Sequence, residues 1–178
     1  MKRIFWNITL SSLITLIVYY LLFFVLGAIL NEVQNAGFRV FFLALVMSVA
    51  FGFFLLYRTK IKKSIGEDEV MADYEDRTYT SIIDDFKLLI KREAKILITI
   101  AGIVLVCFVL NTFDSLVFGK KTISIITVFF LPLCSFDMVI NIPFVGYLVS
   151  AIFDCAAYIV CLMIHRKKMY NHWMKNKV

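Results

Sequence analysis

The stretch "ISIITVFFLPLCSFDMVI", residues 123–140, is apolar enough to enter a bilayer, but Pro132 interrupts it and Asp137 lies near its end. If this segment crosses, the chain has five membrane spans and its tail emerges opposite its N-terminus. If it turns back, there are four spans and both termini share one side. The rest of the sequence chooses between the two.

Of the 178 residues, 61% are hydrophobic and 18% charged, with a mean hydropathy of +0.86. A soluble domain carries about 25% charged residues, so this balance indicates an integral membrane protein. Crossing a hydrocarbon core takes about 20 apolar residues. Runs of that length occur near residues 4–30, 38–57, 94–118 and 144–165. The first follows "MKRIFW" as a secretory signal would, but it is too long for a signal core and no small-residue cleavage site closes it. It reads as an uncleaved first helix. No internal repeat divides the chain into inverted halves, and residues 1–178 are expected to form one transmembrane helical bundle.

The basic residues decide the topology. With four spans, 16 of the 19 lysines and arginines face the cytoplasm, and only Arg39, Lys120 and Lys121 lie outside. With five, the tail "HRKKMYNHWMKNKV" must be exported with its five basic residues, against the positive-inside bias. The expected fold is therefore an all-α integral membrane protein of four transmembrane helices. Residues 119–143 form an outer hairpin, its apolar part re-entrant or interfacial in the outer leaflet, and residues 58–93 form a cytoplasmic loop. A cell inner membrane, crossed several times with both termini cytoplasmic, is the simplest home for this layout. The net charge of +6 has that membrane origin, and no nucleic-acid partner is implied.

Within the cytoplasmic loop, "RTKIKK" at residues 58–63 reads as an anchor for anionic headgroups, and "GEDEVMADYEDRT" at 66–78 as a solvated acidic linker. "TSIIDDFKLLIKREAK" then reads as an amphipathic cytoplasmic helix. Ser81 is placed to cap it, and Ile82, Ile83, Phe86, Leu89 and Ile90 fall on one face. With no breaker before residue 94, either one helix of about 35 residues leaves the membrane, or the chain bends near Lys91 and lies on the surface. Residues 67–95 are a candidate surface for a cytoplasmic partner.

The last span carries a polar stripe. Tyr147, Ser150, Asp154, Tyr158, Cys161 and His165 follow one another at steps of three or four, which places all six on one helix face. An aspartate at a helix centre costs on the order of 3 kcal/mol on insertion scales, and such residues face the bundle interior. Two readings are open. The stripe is a seam where hydroxyls and a neutral carboxyl bond across to neighbouring helices, or Asp154 is a proton, cation or polar-substrate site. The apolar cores of the spans offer no basic residue at that depth to pair with it; Thr15, Tyr19, Tyr20, Ser48 and Cys107 are the polar side chains available.

On the second span, Ala44, Ser48 and Gly52 recur every four residues, a ridge of small side chains that lets another helix approach. The partner is either this chain or another. At the outer end, Asn111, Asp114, Asp137 and Asn141 are candidates for a polar cluster over the bundle, with the oxygen ligands a hard cation takes. No fixed ligand spacing of the calcium-loop kind supports a metal, and solvated loop polarity is the better explanation of these four. Cys161 and His165 supply two ligands, short of a closed site, and no metal is expected. The four cysteines form no CxxC pair and read as small buried hydrophobes.

Catalytic and cofactor signatures are missing: no HExxH, no GxSxG, no Walker A. No cofactor is implied. The expected function is non-enzymatic, that of a subunit in a transport or export assembly or of a self-associating pore, partnered by the lipid bilayer and by other membrane subunits or further copies. Two alternatives remain. One is a small membrane enzyme acting on a lipid-linked substrate at the cytoplasmic face through Asp84, Asp85, Lys87, Lys91 and Lys95; the other is a tether for a cytoplasmic protein.

Overall fold

The structure is a computed structural model, and it describes residues 2–30, 36–60, 82–118, 128–138, 140 and 142–177. Among these residues there is no strand. Four long helices carry the chain: α1 (Lys2–Leu30), α2 (Ala36–Thr59), α3 (Ile82–Phe118) and α4 (Pro143–Lys177). Each holds a stretch long and apolar enough to span a membrane, namely Lys2–Leu21, Gly37–Thr59, Phe86–Val117 and Phe144–Met169.

The two longest helices run past the apolar stretches that define them. α3 has 37 residues, about 55 Å at the α-helical rise, against a hydrocarbon core of about 30 Å. Of the two courses open to the segment before residue 94, the chain takes the continuous one, because no proline or glycine breaks the ladder between Ile82 and Ile100. Of its expected apolar face, Leu89 is buried while Phe86 and Ile90 stay exposed. α4 likewise continues beyond residue 165 through the basic tail.

Between α3 and α4 the described residues of the apolar stretch, 128–138 and 140, do not make a fifth long helix. They include a short 3₁₀ helix, Leu131–Met138, with Cys134 out of helical geometry. Pro132 explains the choice: its ring fixes φ and removes an N–H, so a regular α-helix cannot continue through it. The segment enters through a turn closed by the Leu133 N–H on the Phe130 carbonyl, 2.9 Å. It packs against all four helices, most extensively α4 and α2. Pro132, Leu133, Cys134 and Phe136 are buried there.

The bundle is apolar outside as well as inside. Leu116 is 79% and Ile98 71% exposed, and many further large hydrophobics stand open. A surface of that kind is stable against lipid and unstable against water. α4 is in contact with α2, α3 and the 3₁₀ helix, while α1 packs chiefly on α2 and also touches the 3₁₀ helix and α3.

Candidate functional site

Hydroxyls buried in an apolar bundle must find acceptors, and several do so locally. Ser11 and Thr15 of α1 bond back to the carbonyls of Asn7 and Ser11, at 2.7 and 2.8 Å. Thr15 is thereby used within its own helix. Ser12 instead reaches the Phe129 carbonyl at 2.9 Å, tying α1 to the segment that leads into the 3₁₀ helix.

The stripe on α4 is used differently. Tyr147, Ser150, Asp154 and Tyr158 are all buried, Asp154 and Tyr158 completely, whereas Cys161 and His165 are half-buried. Each of the first four meets a different neighbour. Tyr147 accepts a hydrogen bond from the Asn111 amide of α3. Ser150 accepts one from the Phe136 backbone N–H of the 3₁₀ helix, 3.0 Å. Tyr158 donates to the Glu93 carboxylate of α3 at 3.2 Å and lies 3.5 Å from the Thr59 hydroxyl of α2.

Asp154 is the exception among these four. Ser48 of α2 comes near enough to interact with the carboxyl, but the approach falls short of hydrogen-bond geometry, so neither carboxyl oxygen nor the Ser48 hydroxyl completes a bond. Leaving a buried polar group unpaired costs about 2–7 kcal/mol, and an ionised one far more. Charge on this carboxyl therefore requires a cation beside it. Two bonded layers flank the bare group, with Tyr147 and Ser150 on one side along α4 and Tyr158 on the other.

The small-residue ridge of α2 is what brings Ser48 to Asp154. Ala44 and Ser48 are buried, and the Ala44 carbonyl accepts from Ser135 of the 3₁₀ helix at 3.4 Å. Gly52 lies against the α4 backbone: a Cβ there would stand 2.8 Å from the Ala157 carbonyl carbon and 2.9 Å from the Tyr158 nitrogen. The ridge is thus filled by this same chain. A second glycine does the equivalent on α4, where a Cβ at Gly146 would meet the Asp137 Cα at 2.7 Å.

The expected outer cluster is placed as follows. Asn111 serves Tyr147, Asp137 packs on Gly146, Asp114 is half-buried, and Asn141 lies outside the described residues. Among the described residues no group of three His, Cys, Asp or Glu side chains stands ready to hold a metal. The four cysteines are free. Lys87, Lys91 and Lys95 are exposed along one face of α3, while the side chains of Asp84 and Asp85 fall outside the description. Most of the acidic part of residues 67–95 does too.

A second buried carboxyl, with little trace in the sequence, belongs to α3. Glu93 is only 4% exposed, with the Lys60 ammonium 2.6 Å from one oxygen and the Tyr158 hydroxyl on the other. Three helices meet at this point. Its signal in the sequence was faint: an acid inside "KLLIKREAKIL", just where the third apolar run begins.

Comparison of the chain with protein-family models, with curated proteins and with solved structures finds no match.

Proposed function

We propose that this chain is a non-enzymatic membrane transport protein in which Asp154 takes up a proton or a small cation within the bilayer. It works as a self-associated pore or as a subunit of a transport or export assembly. The observation that carries this reading is the carboxyl itself: fully buried, midway along an apolar span, and without a completed hydrogen bond even to the Ser48 hydroxyl beside it. A seam built only for packing would use such groups as its neighbours are used, in completed hydrogen bonds. An unpaired acid in hydrocarbon suits a group that must be loaded and unloaded.

The proposed topology has both termini in the cytoplasm of a cell with an inner membrane, and residues 123–140 entering from the outer leaflet and returning to it. Two contacts support the return. The Phe129 carbonyl lies beside Ser12 in the body of α1, whereas Asp137 packs on Gly146, at the start of α4. Irregular backbone at depth is tolerated where protein satisfies it, as Ser150 does for Phe136. Because the Ala44–Gly52 ridge is internally occupied, association with further copies or subunits falls to the outward faces. Gly102 on α3, with nothing within 4 Å of its Cβ position, offers the room for it.

The test is reconstitution after mild solubilisation that keeps bound subunits. Proteoliposomes should pass protons, sodium or potassium down an imposed gradient faster than protein-free vesicles. Permeability to all three no greater than that of protein-free vesicles would refute the transport reading.

A further inference from the structure

Glu93 has no role in the reading of Asp154 given above, yet it is the second acid buried in the bundle. It sits where three helices bring oxygen atoms together: its own carboxylate from α3, the Tyr158 hydroxyl from α4 at 3.2 Å, and, 3.5 Å beyond that hydroxyl, the Thr59 hydroxyl from α2. Carboxylate and hydroxyl oxygens are ligands for a hard cation. A cation already occupies the place, in tethered form, since the Lys60 ammonium lies 2.6 Å from the carboxylate.

Two features make this occupant releasable. The Lys60 side chain is 26% exposed while Glu93 is closed off, so solvent reaches the carboxylate along the lysine. Lys60 also follows the last residue of α2, with its backbone N–H on the Leu56 carbonyl at 2.9 Å, so its flexible four-carbon stem can swing out without disturbing the helix. Tyr158 links the two acids. Its hydroxyl is on Glu93, and its Cα is one turn, about 6 Å of rise, from Asp154 on the same face of α4.

We infer that Glu93, with Tyr158 and Thr59, is a second station for a monovalent cation, lying between the basic end of the bundle and Asp154, and that the Lys60 ammonium is its resting occupant. This rests on the reading of Asp154 as a loaded site, because a station needs a destination. A cation arriving from the basic end displaces the ammonium from Glu93, and Lys60 returns once the cation has moved on. The ammonium thereby keeps the path closed to idle leakage of cations, and the Glu93 carboxylate selects against anions.

Charge-selective access tests this. Ser48→Cys places a reporter thiol opposite Asp154, and its modification by a positively or a negatively charged methanethiosulfonate reagent, added at the basic end, is followed by mass spectrometry of the peptide. Ser150→Cys is the second reporter. Lys60→Met should raise the ratio of cationic to anionic labelling on the order of tenfold, the lower range of what a focused charge does to local ion concentration. Adding Glu93→Gln should return the ratio to the starting value. Lys60→Gln serves if Lys60→Met fails to insert. Equal acceleration of both reagents would mean a mere plug, and an unchanged ratio would take Glu93 off the path; either overturns the inference. Flux is not read here, so the result stands apart from the fate of the Asp154 reading.

Discussion

Gly52 of α2 meets α4 so closely that a Cβ on it would lie 2.8 Å from the Ala157 carbonyl carbon. The atom in the way is backbone, so no rotamer change can relieve it, and only a separation of the two helices would. That closeness sets the register in which Ser48 faces Asp154.

Gly52→Ala is therefore expected to destabilise the protein by about 1–3 kcal/mol, the usual cost of overpacking. Gly102→Ala, whose added methyl meets nothing within 4 Å, should leave the single chain as stable as before or slightly more so, since alanine favours a helix over glycine. Thermal unfolding in detergent compares the two. Equal stability would mean that α2 and α4 do not touch at Gly52.

Gly146→Ala should act on the 3₁₀ helix, because its methyl would meet the Asp137 backbone at 2.7 Å. The expected result is faster proteolysis within residues 128–138, with α1–α4 retained. Proteolysis unchanged from wild type would detach that segment from α4.

Ser150→Val removes the acceptor of the Phe136 N–H and leaves a buried donor unpaired. Such a donor costs about 1–3 kcal/mol. Ser150→Thr keeps an oxygen and should recover part of the loss. If valine is as stable as serine, the 3₁₀ helix does not depend on this bond.

Much of this arrangement could be read from residues alone, and the rest could not for identifiable reasons. Four apolar stretches are legible because a bilayer imposes their length, and Pro132 lies in the stretch whose described residues 131–138 form a 3₁₀ helix in place of a regular α-helix. The α4 stripe is legible because steps of three and four are a property of one helix. Its partners are not. Nothing local tells that Tyr147 meets Asn111, that Ser150 meets the Phe136 N–H, or that Asp154 has Ser48 opposite it and no bond. The burial of Glu93 is illegible for the same reason: its partners Lys60 and Tyr158 lie 33 and 65 residues away along the chain. The spacing of Ala44, Ser48 and Gly52 announced a close helix contact, but which helix fills it is decided by tertiary packing.

The bare carboxyl of Asp154 is the centre of the account, and Asp154→Asn tests it most directly. Asparagine has nearly the same size and stays neutral, so the variant should insert and unfold like the wild type, and any seam should hold. Only on the seam reading, in which the carboxyl bonds to a neighbouring helix, should Asp154→Leu cost about 1 kcal/mol, the scale of an interhelical hydrogen bond in membranes. The measurement is proton and cation flux in proteoliposomes carrying equal amounts of wild type and Asp154→Asn, across a range of pH. The account predicts that the asparagine variant is folded and its flux is lost, along with any pH dependence of the wild type. Full flux with unchanged pH dependence would contradict it and leave the stripe on α4 as a packing seam.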